Sequence, residues 1–196
     1  MDPPRLDPGL ERRAIAETRA WLEHVVIGLN LCPFAKAVVA KGQVRCAVTA
    51  ASDEAALVIS LREELALLAA ADPAEIDTTL LICPSALPDF DDYNDFLDEA
   101  DALLREMDLE GVIQVASFHP DYRFADSDPD DVTHATSRSP WPMLHLLRED
   151  SVERALAAVP DPDAIVEANV RTLRALGNEG WAALRRRYLA DAEEAG

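Results

Sequence analysis

The chain has 196 residues, 49% of them apolar, which is enough for one substantial hydrophobic core. Its 18 basic and 37 acidic residues leave a formal net charge of −19, which excludes a phosphate-backbone partner and with it a nucleic-acid role. No stretch approaches the roughly eighteen apolar residues of a membrane span, and the N-terminus lacks a signal-peptide core, so no membrane partner is expected.

Residues 1–9 are proline-rich and are expected to be loose, before a single domain over residues 10–192 and a frayed tail over 193–196. Leu10 to Leu31 carries helical spacing through Ile15, Trp21, Leu22, Val25, Val26 and Leu29, and Asn30 to Pro33 ends that helix. A short strand is expected over Arg45 to Thr49. Ser52-Asp53-Glu54 then caps a helix whose Leu57, Leu61, Leu65 and Leu68 form one apolar stripe. Thr78 to Cys83 reads as a central strand stopped by Pro84, and Phe90, Tyr93, Leu97, Ala100 and Leu104 mark the next helix.

Val112 to Phe118 reads as a third strand that His119-Pro120 terminates, because proline cannot continue a ladder. After a loop over Pro120 to Pro140, Trp141 to Glu149 reads as a short helix. A turn around Pro160, a helix over Asp163 to Leu176, a stop at Gly177 and a helix over Glu179 to Ala192 follow. Helices alternating with strands predict an α/β fold with parallel crossovers, with an α+β arrangement containing an antiparallel member as the alternative.

Three of the four histidines fall between Val112 and Asp150. His119 is placed at a strand's carboxyl end, where ligands gather in open α/β sheets. In the expected helix, His145 and Glu149 stand one turn apart, a spacing that supplies two metal ligands or a base and its orienter. Two histidines and a carboxylate make the donor set of non-haem iron and many hydrolytic zinc sites, so His119, His145 and Glu149 are candidate ligands of a divalent metal, Zn or Fe. Arg138, beside the capping Ser139 and Pro140, is the candidate for orienting an anionic small molecule.

Cys32, Cys46 and Cys83 form no CxxC pair, so neither a disulfide framework nor a zinc ribbon is signalled and a reducing, cytoplasmic setting is expected. Cys32 closes the first helix rather than opening one, so no helix dipole lowers its pKa; as a nucleophile it requires a nearby histidine, His24 or a distant one. Asp126, Asp128 and Asp130 alternate as in a calcium loop, but Pro129 interrupts them and the distal glutamate is missing.

Three segments carry a resemblance: Gly28-Leu29-Asn30-Leu31-Cys32-Pro33-Phe34-Ala35, Ser117-Phe118-His119-Pro120-Asp121-Tyr122-Arg123-Phe124, and Arg138 through Glu149 with its Arg-Ser-Pro-Trp-Pro-Met start. The chain resembles the bacterial family called domain of unknown function 1415 across most of residues 11–190. The resemblance implies a compact single-domain bacterial protein and brings no established activity.

Three functional expectations follow. The first is a small cytoplasmic enzyme with the His119, His145 and Glu149 metal site acting on an anionic small molecule, hydrolase ahead of oxygenase. The second is a cysteine-dependent enzyme centred on Cys32. The third is a protein-binding or assembly factor whose histidines, Trp141 and acidic surface form an interaction face.

Overall fold

The computed structural model describes residues 6–157, 159 and 161–195. Four strands, β1 (Val44–Val48), β2 (Thr78–Ile82), β3 (Ile113–Phe118) and β4 (Met143–Arg148), form one sheet in the order β1-β2-β4-β3. β1 and β2 are parallel, whereas β4 runs antiparallel to both β2 and β3. The first three strands therefore point the same way, and the last inserts between two of them in the opposite sense. The fold is α/β with a mixed sheet.

The expected helix over Trp141 to Glu149 is instead strand β4, and α5 (Glu149–Ala157) begins only where that helix was expected to end. The run Met143-Leu144-His145-Leu146-Leu147-Arg148 is apolar enough for either element. The gap between β2 and β3 decides it, because an extended chain there satisfies the inner edges of both neighbours along its full length.

One face of the sheet is covered by α3 (Glu54–Ala70) and α4 (Phe90–Glu106), each opened by an aspartate whose carboxylate accepts from first-turn amides, Asp53 from Ala56 and Asp89 from Asp91 and Asp92. The predicted leucine stripe of α3 is fully buried against Leu81, Leu144 and Leu146, together with Tyr93, Phe96 and Ala100 of α4. The other face meets α1 (Pro8–Trp21), a π-helical continuation over Leu22–Ile27, the short α2 (Ala35–Ala40) and α6 (Asp163–Ala195). Helix α6 breaks at Gly177, whose φ of 68° leaves the right-handed region, as the sequence predicts. Helix α1 starts at Pro8, inside the segment expected to be loose, and α6 continues through the expected frayed tail to Ala195. The expected turn at Pro160, the first residues of the N-terminal segment (1–5) and Gly196 lie outside the described residues.

The end of β4 secures α3. Arg148 is buried, and its guanidinium donates to the carbonyls of Leu68 (2.6 Å), Ala71 (2.7 Å) and Ile76 (3.2 Å), two of which close the carboxyl end of α3. The Leu68 carbonyl accepts besides from the Ala71 amide at 3.3 Å, the helix end offers few further amides, and a cation at that end also opposes the helix dipole. Arg148→Met keeps the stem and removes the donors. It should lower stability by about 2–4 kcal/mol in urea unfolding, since buried carbonyls are left unpaired. A loss below about 0.5 kcal/mol would show that water replaces the guanidinium at no net cost.

Candidate functional site

The strand carboxyl ends, where ligands were expected, are closed. His119 is fully buried behind β3, and its ring packs between Phe90 and Tyr93 of α4, with centroids at 5.5 and 5.1 Å. Its Nδ1 accepts from the Asp121 amide at 3.0 Å, which leaves the proton on Nε2, and Nε2 donates to the Leu87 carbonyl at 3.2 Å. Both ring nitrogens are engaged. Burial, only partly offset by the Leu87 bond, lowers the pKa and keeps the ring neutral. Cys83, at the end of β2, is also buried, and loss of hydration pushes its thiol up to about 12.

His145 lies on the opposite face of the sheet. It sits on β4 directly between Leu80 of β2 and Ala116 of β3, and β4 alternation sends Leu144, Leu146 and Arg148 toward α3 and α4 while Met143, His145 and Leu147 face the other way. Glu149 belongs to neither group, since it opens α5 with its amide on the Val112 carbonyl. Four residues of extended chain span about 13 Å rather than one helical turn. His119, His145 and Glu149 therefore do not converge, and the expected three-ligand metal site is corrected on that geometry. Among the described residues no group of three or more His, Cys, Asp or Glu side chains is arranged to hold an ion.

Arg138 is half-buried and serves the loop. Its Nε donates to the Tyr122 carbonyl at 3.0 Å, and its own carbonyl accepts from Trp21 Nε1 at 2.9 Å. Burial lowers its pKa, with Asp121 opposing and Arg185 reinforcing that shift. His134, which the sequence did not single out, pins the same loop by accepting from the Phe124 amide at Nδ1 and donating to the Asp128 carbonyl from Nε2. The carboxylate of Asp128 accepts from the Asp130 amide, so the alternating aspartates build a turn.

A cavity of about 540 Å³ occupies the part of the second sheet face that α1 and α6 leave uncovered. Three cross-strand rows cross that face: Val48, Ile82, Met143, Phe118; Cys46, Leu80, His145, Ala116; and Val44, Thr78, Leu147, Gln114. Ile82 and Met143 of the first row are buried in the core with Trp21 and Leu173, whereas Phe118 of that row, Leu80, His145 and Ala116 of the second and all of the third furnish the cavity floor. The floor thus lies toward the amino ends of the three parallel strands, opposite to the expected location. Cys32 and α2 form one wall and the Ser151 to Ala155 stretch of α5 another.

Chain geometry around Cys32 explains its place in that wall. The π-helical bonds Gly28 N to Glu23 O and Leu31 N to Val26 O widen the end of the first helix, and a side chain at Gly28 would collide with the His24 carbonyl. Asn30 then takes a left-handed φ of 54°, which ends the helix. The buried Asn169 of α6 donates to the Leu31 carbonyl at 2.9 Å and fixes the turn that presents the half-buried Cys32. His24, the nearer histidine in sequence, pairs instead with Asp191 of α6 at 3.2 Å and does not line the cavity.

A family model described as a protein of unknown function (DUF1415) matches residues 13–183. The chain belongs to the DUF1415 family. No curated protein and no solved structure matches it. In this DUF1415 chain the cavity is where the chemistry-bearing candidates meet. Two of the expected candidates, Cys32 and His145, line it, while His119, Arg138 and Glu149 do not. The sequence reading missed Thr78, Gln114 and Ala116, because isolated floor residues in a strand carry no motif; strand alternation was the one signal that could have found them.

Loss of hydration drives the His145 pKa from 6.5 to about 4. The folded chain therefore binds fewer protons than the unfolded chain between those values, so stability is full above the window and falls as pH drops through it. His145→Asn removes that contribution. The decrease in urea midpoint from about pH 7 to about pH 5 should be smaller in H145N than in the unsubstituted chain; an equal decrease would show that His145 is not held neutral. His119→Ala should cost about 1–3 kcal/mol at neutral pH, because it orphans the buried Leu87 carbonyl and removes the partner of the part-buried Asp121 amide. A variant as stable as the parent would return His119 to the list of functional residues.

Proposed function

We propose that the protein is a thiol-dependent enzyme acting on a small, mainly apolar molecule, with Cys32 as nucleophile and His145 as proton acceptor. The observation that carries this reading is the shared cavity: Cys32 and His145 border one partly open space of a size suited to small ligands. The reading departs from the metal-centred expectation because His119 spends both ring nitrogens on the backbone. It departs from an anionic substrate because Arg138 does not line the cavity and Arg148, which does, is saturated by carbonyls. A reducing, cytoplasmic setting belongs with a working thiol, and all three cysteines are unpaired. Among the described residues no helix is long and apolar enough to cross a membrane.

At rest the imidazole is neutral, since the cavity disfavours an isolated imidazolium. As sulfur attacks an electrophilic carbon of the substrate, the thiol proton passes to the imidazole, directly or across one water, and the new S–C bond forms while positive charge appears on the ring. The ring then returns the proton to the departing group, and water or a second acceptor releases the product from sulfur.

This scheme has a kinetic signature. A thiol that reacts only as pre-formed thiolate slows about tenfold per pH unit below its pKa, whereas a thiol whose proton is taken in the attack itself stays reactive while the base is neutral. Iodoacetamide labelling followed residue by residue by mass spectrometry should show a rate plateau at Cys32 between about pH 5 and 7 that H145N abolishes. Cys83 and Cys46, both with pKa raised by burial, serve as internal controls without a plateau. A steady tenfold fall per unit at Cys32, identical in H145N, would leave Cys32 a wall residue only.

A further inference from the structure

The hydrogen bonds beneath the cavity floor specify the protonation of His145 and, through it, a ligand class. Thr78 Oγ1 lies 2.7 Å from the Leu146 carbonyl oxygen and 2.7 Å from His145 Nε2. Each contact is short enough to need a hydrogen between its heavy atoms, and the hydroxyl has one hydrogen. A carbonyl oxygen has none to give. Thr78 therefore donates to Leu146, and the second hydrogen comes from the ring: Nε2–H donates to Thr78 Oγ1. A neutral imidazole protonated at Nε2 carries its lone pair on Nδ1. No protein group pairs with Nδ1 among the described residues, and Nδ1 is not among their buried unpartnered atoms.

Accounting for the other polar groups of the lining narrows the occupant. The Arg148 guanidinium is held by three backbone carbonyls, and Asp77 Oδ1 accepts from the Ser151 hydroxyl at 2.6 Å at the cavity's margin. The lining contains no lysine and no other arginine; its other polar side chains, Gln114, Ser137 and Thr136, the last donating to the Thr133 carbonyl, carry no charge, and the rest is apolar, including Leu80, Ala116, Phe118, Leu147 and Val38. A carboxylate or phosphate would enter without a cation to meet it and would face the Nδ1 lone pair, which repels it.

We propose that the cavity binds a neutral molecule with an apolar body and one O–H or N–H donor directed at His145 Nδ1, and that Thr78 is the positioning residue that reserves Nδ1 for it. The inference rests on the cavity being the functional site and deepens that reading by naming what it takes: the ligand's donor group stands where the relaying water would, so the thiol proton reaches Nδ1 through it. It does not depend on Cys32 reacting.

Ring nitrogen NMR on the full chain tests the first half, with the His145 signals assigned by their loss in His145→Gln. Nδ1 should resonate as an unprotonated nitrogen and Nε2 as a protonated one at neutral pH. Thr78→Ser should preserve this pattern, and Thr78→Val should shift it toward a mixture of tautomers. A protonated Nδ1 in the parent chain would overturn the proposal whatever the fate of the valine variant.

Matched probes test the second half by calorimetric titration: 4-propylphenol, 4-propylanisole, 4-propylbenzoate and 4-propylbenzylammonium. The phenol should bind about tenfold more tightly than the anisole, in which a methyl replaces the hydroxyl hydrogen, and His145→Leu should erase that ratio. The benzoate should bind no better than the anisole. A phenol-to-anisole ratio near one, or tightest binding by the benzoate or the ammonium, would overturn the ligand class. The pH plateau of Cys32 alkylation is read separately, so failure here and failure of the thiol reading are distinct results.

Discussion

The antiparallel insertion of β4 between β2 and β3 is the constraint on which the remaining geometry depends. A strand paired on both sides cannot slip by one residue without exchanging its two faces. With Leu144, Leu146 and Arg148 committed to the α3 and α4 side, Met143, His145 and Leu147 are committed to the other. The same register that buries two leucines in one core places an imidazole on the floor of a cavity. It also brings Thr78 within reach of both His145 and the Leu146 carbonyl, a contact between strands that no local motif encodes.

How far the sequence could be read follows from how local each signal is. The stripe of Leu57, Leu61, Leu65 and Leu68 has the period of one helix and is buried along its length, and Phe90 to Leu104 behaves likewise. Pro84 and Pro120 mark where β2 and β3 cease, since each removes a ladder donor just past the strand. Met143 to Arg148 was misread because its six residues satisfy helical and extended spacing alike; so short a run is of strand length, and only the partners on either side fix its state. That error displaced the site. On a helix, His145 and Glu149 would share a face, while on β4 followed by α5 they separate.

Histidine illustrates why residue type alone does not name a role. His119 and His134 each use Nδ1 as an acceptor for a backbone amide and Nε2 as a donor to a backbone carbonyl, so they close turns that lack other partners. His145 donates from Nε2 to a threonine and leaves Nδ1 without a protein partner among the described residues. The difference arises from surroundings: His119 just past β3 and His134 in a short 3-10 turn over Val132–Thr136 stand beside loop backbone with free groups, whereas a ring standing on a sheet finds the backbone already paired. Concentration of histidines along the sequence therefore pointed to one region but merged two structural jobs with a third residue on the opposite face.

The cavity exists because the second face of the sheet is covered unequally. Helices α1 and α6 pack together and bury Ile82 and Met143 near one end, whereas the other end meets α2, six residues long, and α5, nine residues long with no fully buried side chain. Helices this short are marginal alone, and little core packing supports them. Local opening is thus least costly beside the cavity and most costly at α3 and α4. The strong core on one face holds β2 and β4 in register, and that rigid floor keeps Thr78, His145 and the Leu146 carbonyl within hydrogen-bond distance while the walls that admit a ligand yield first.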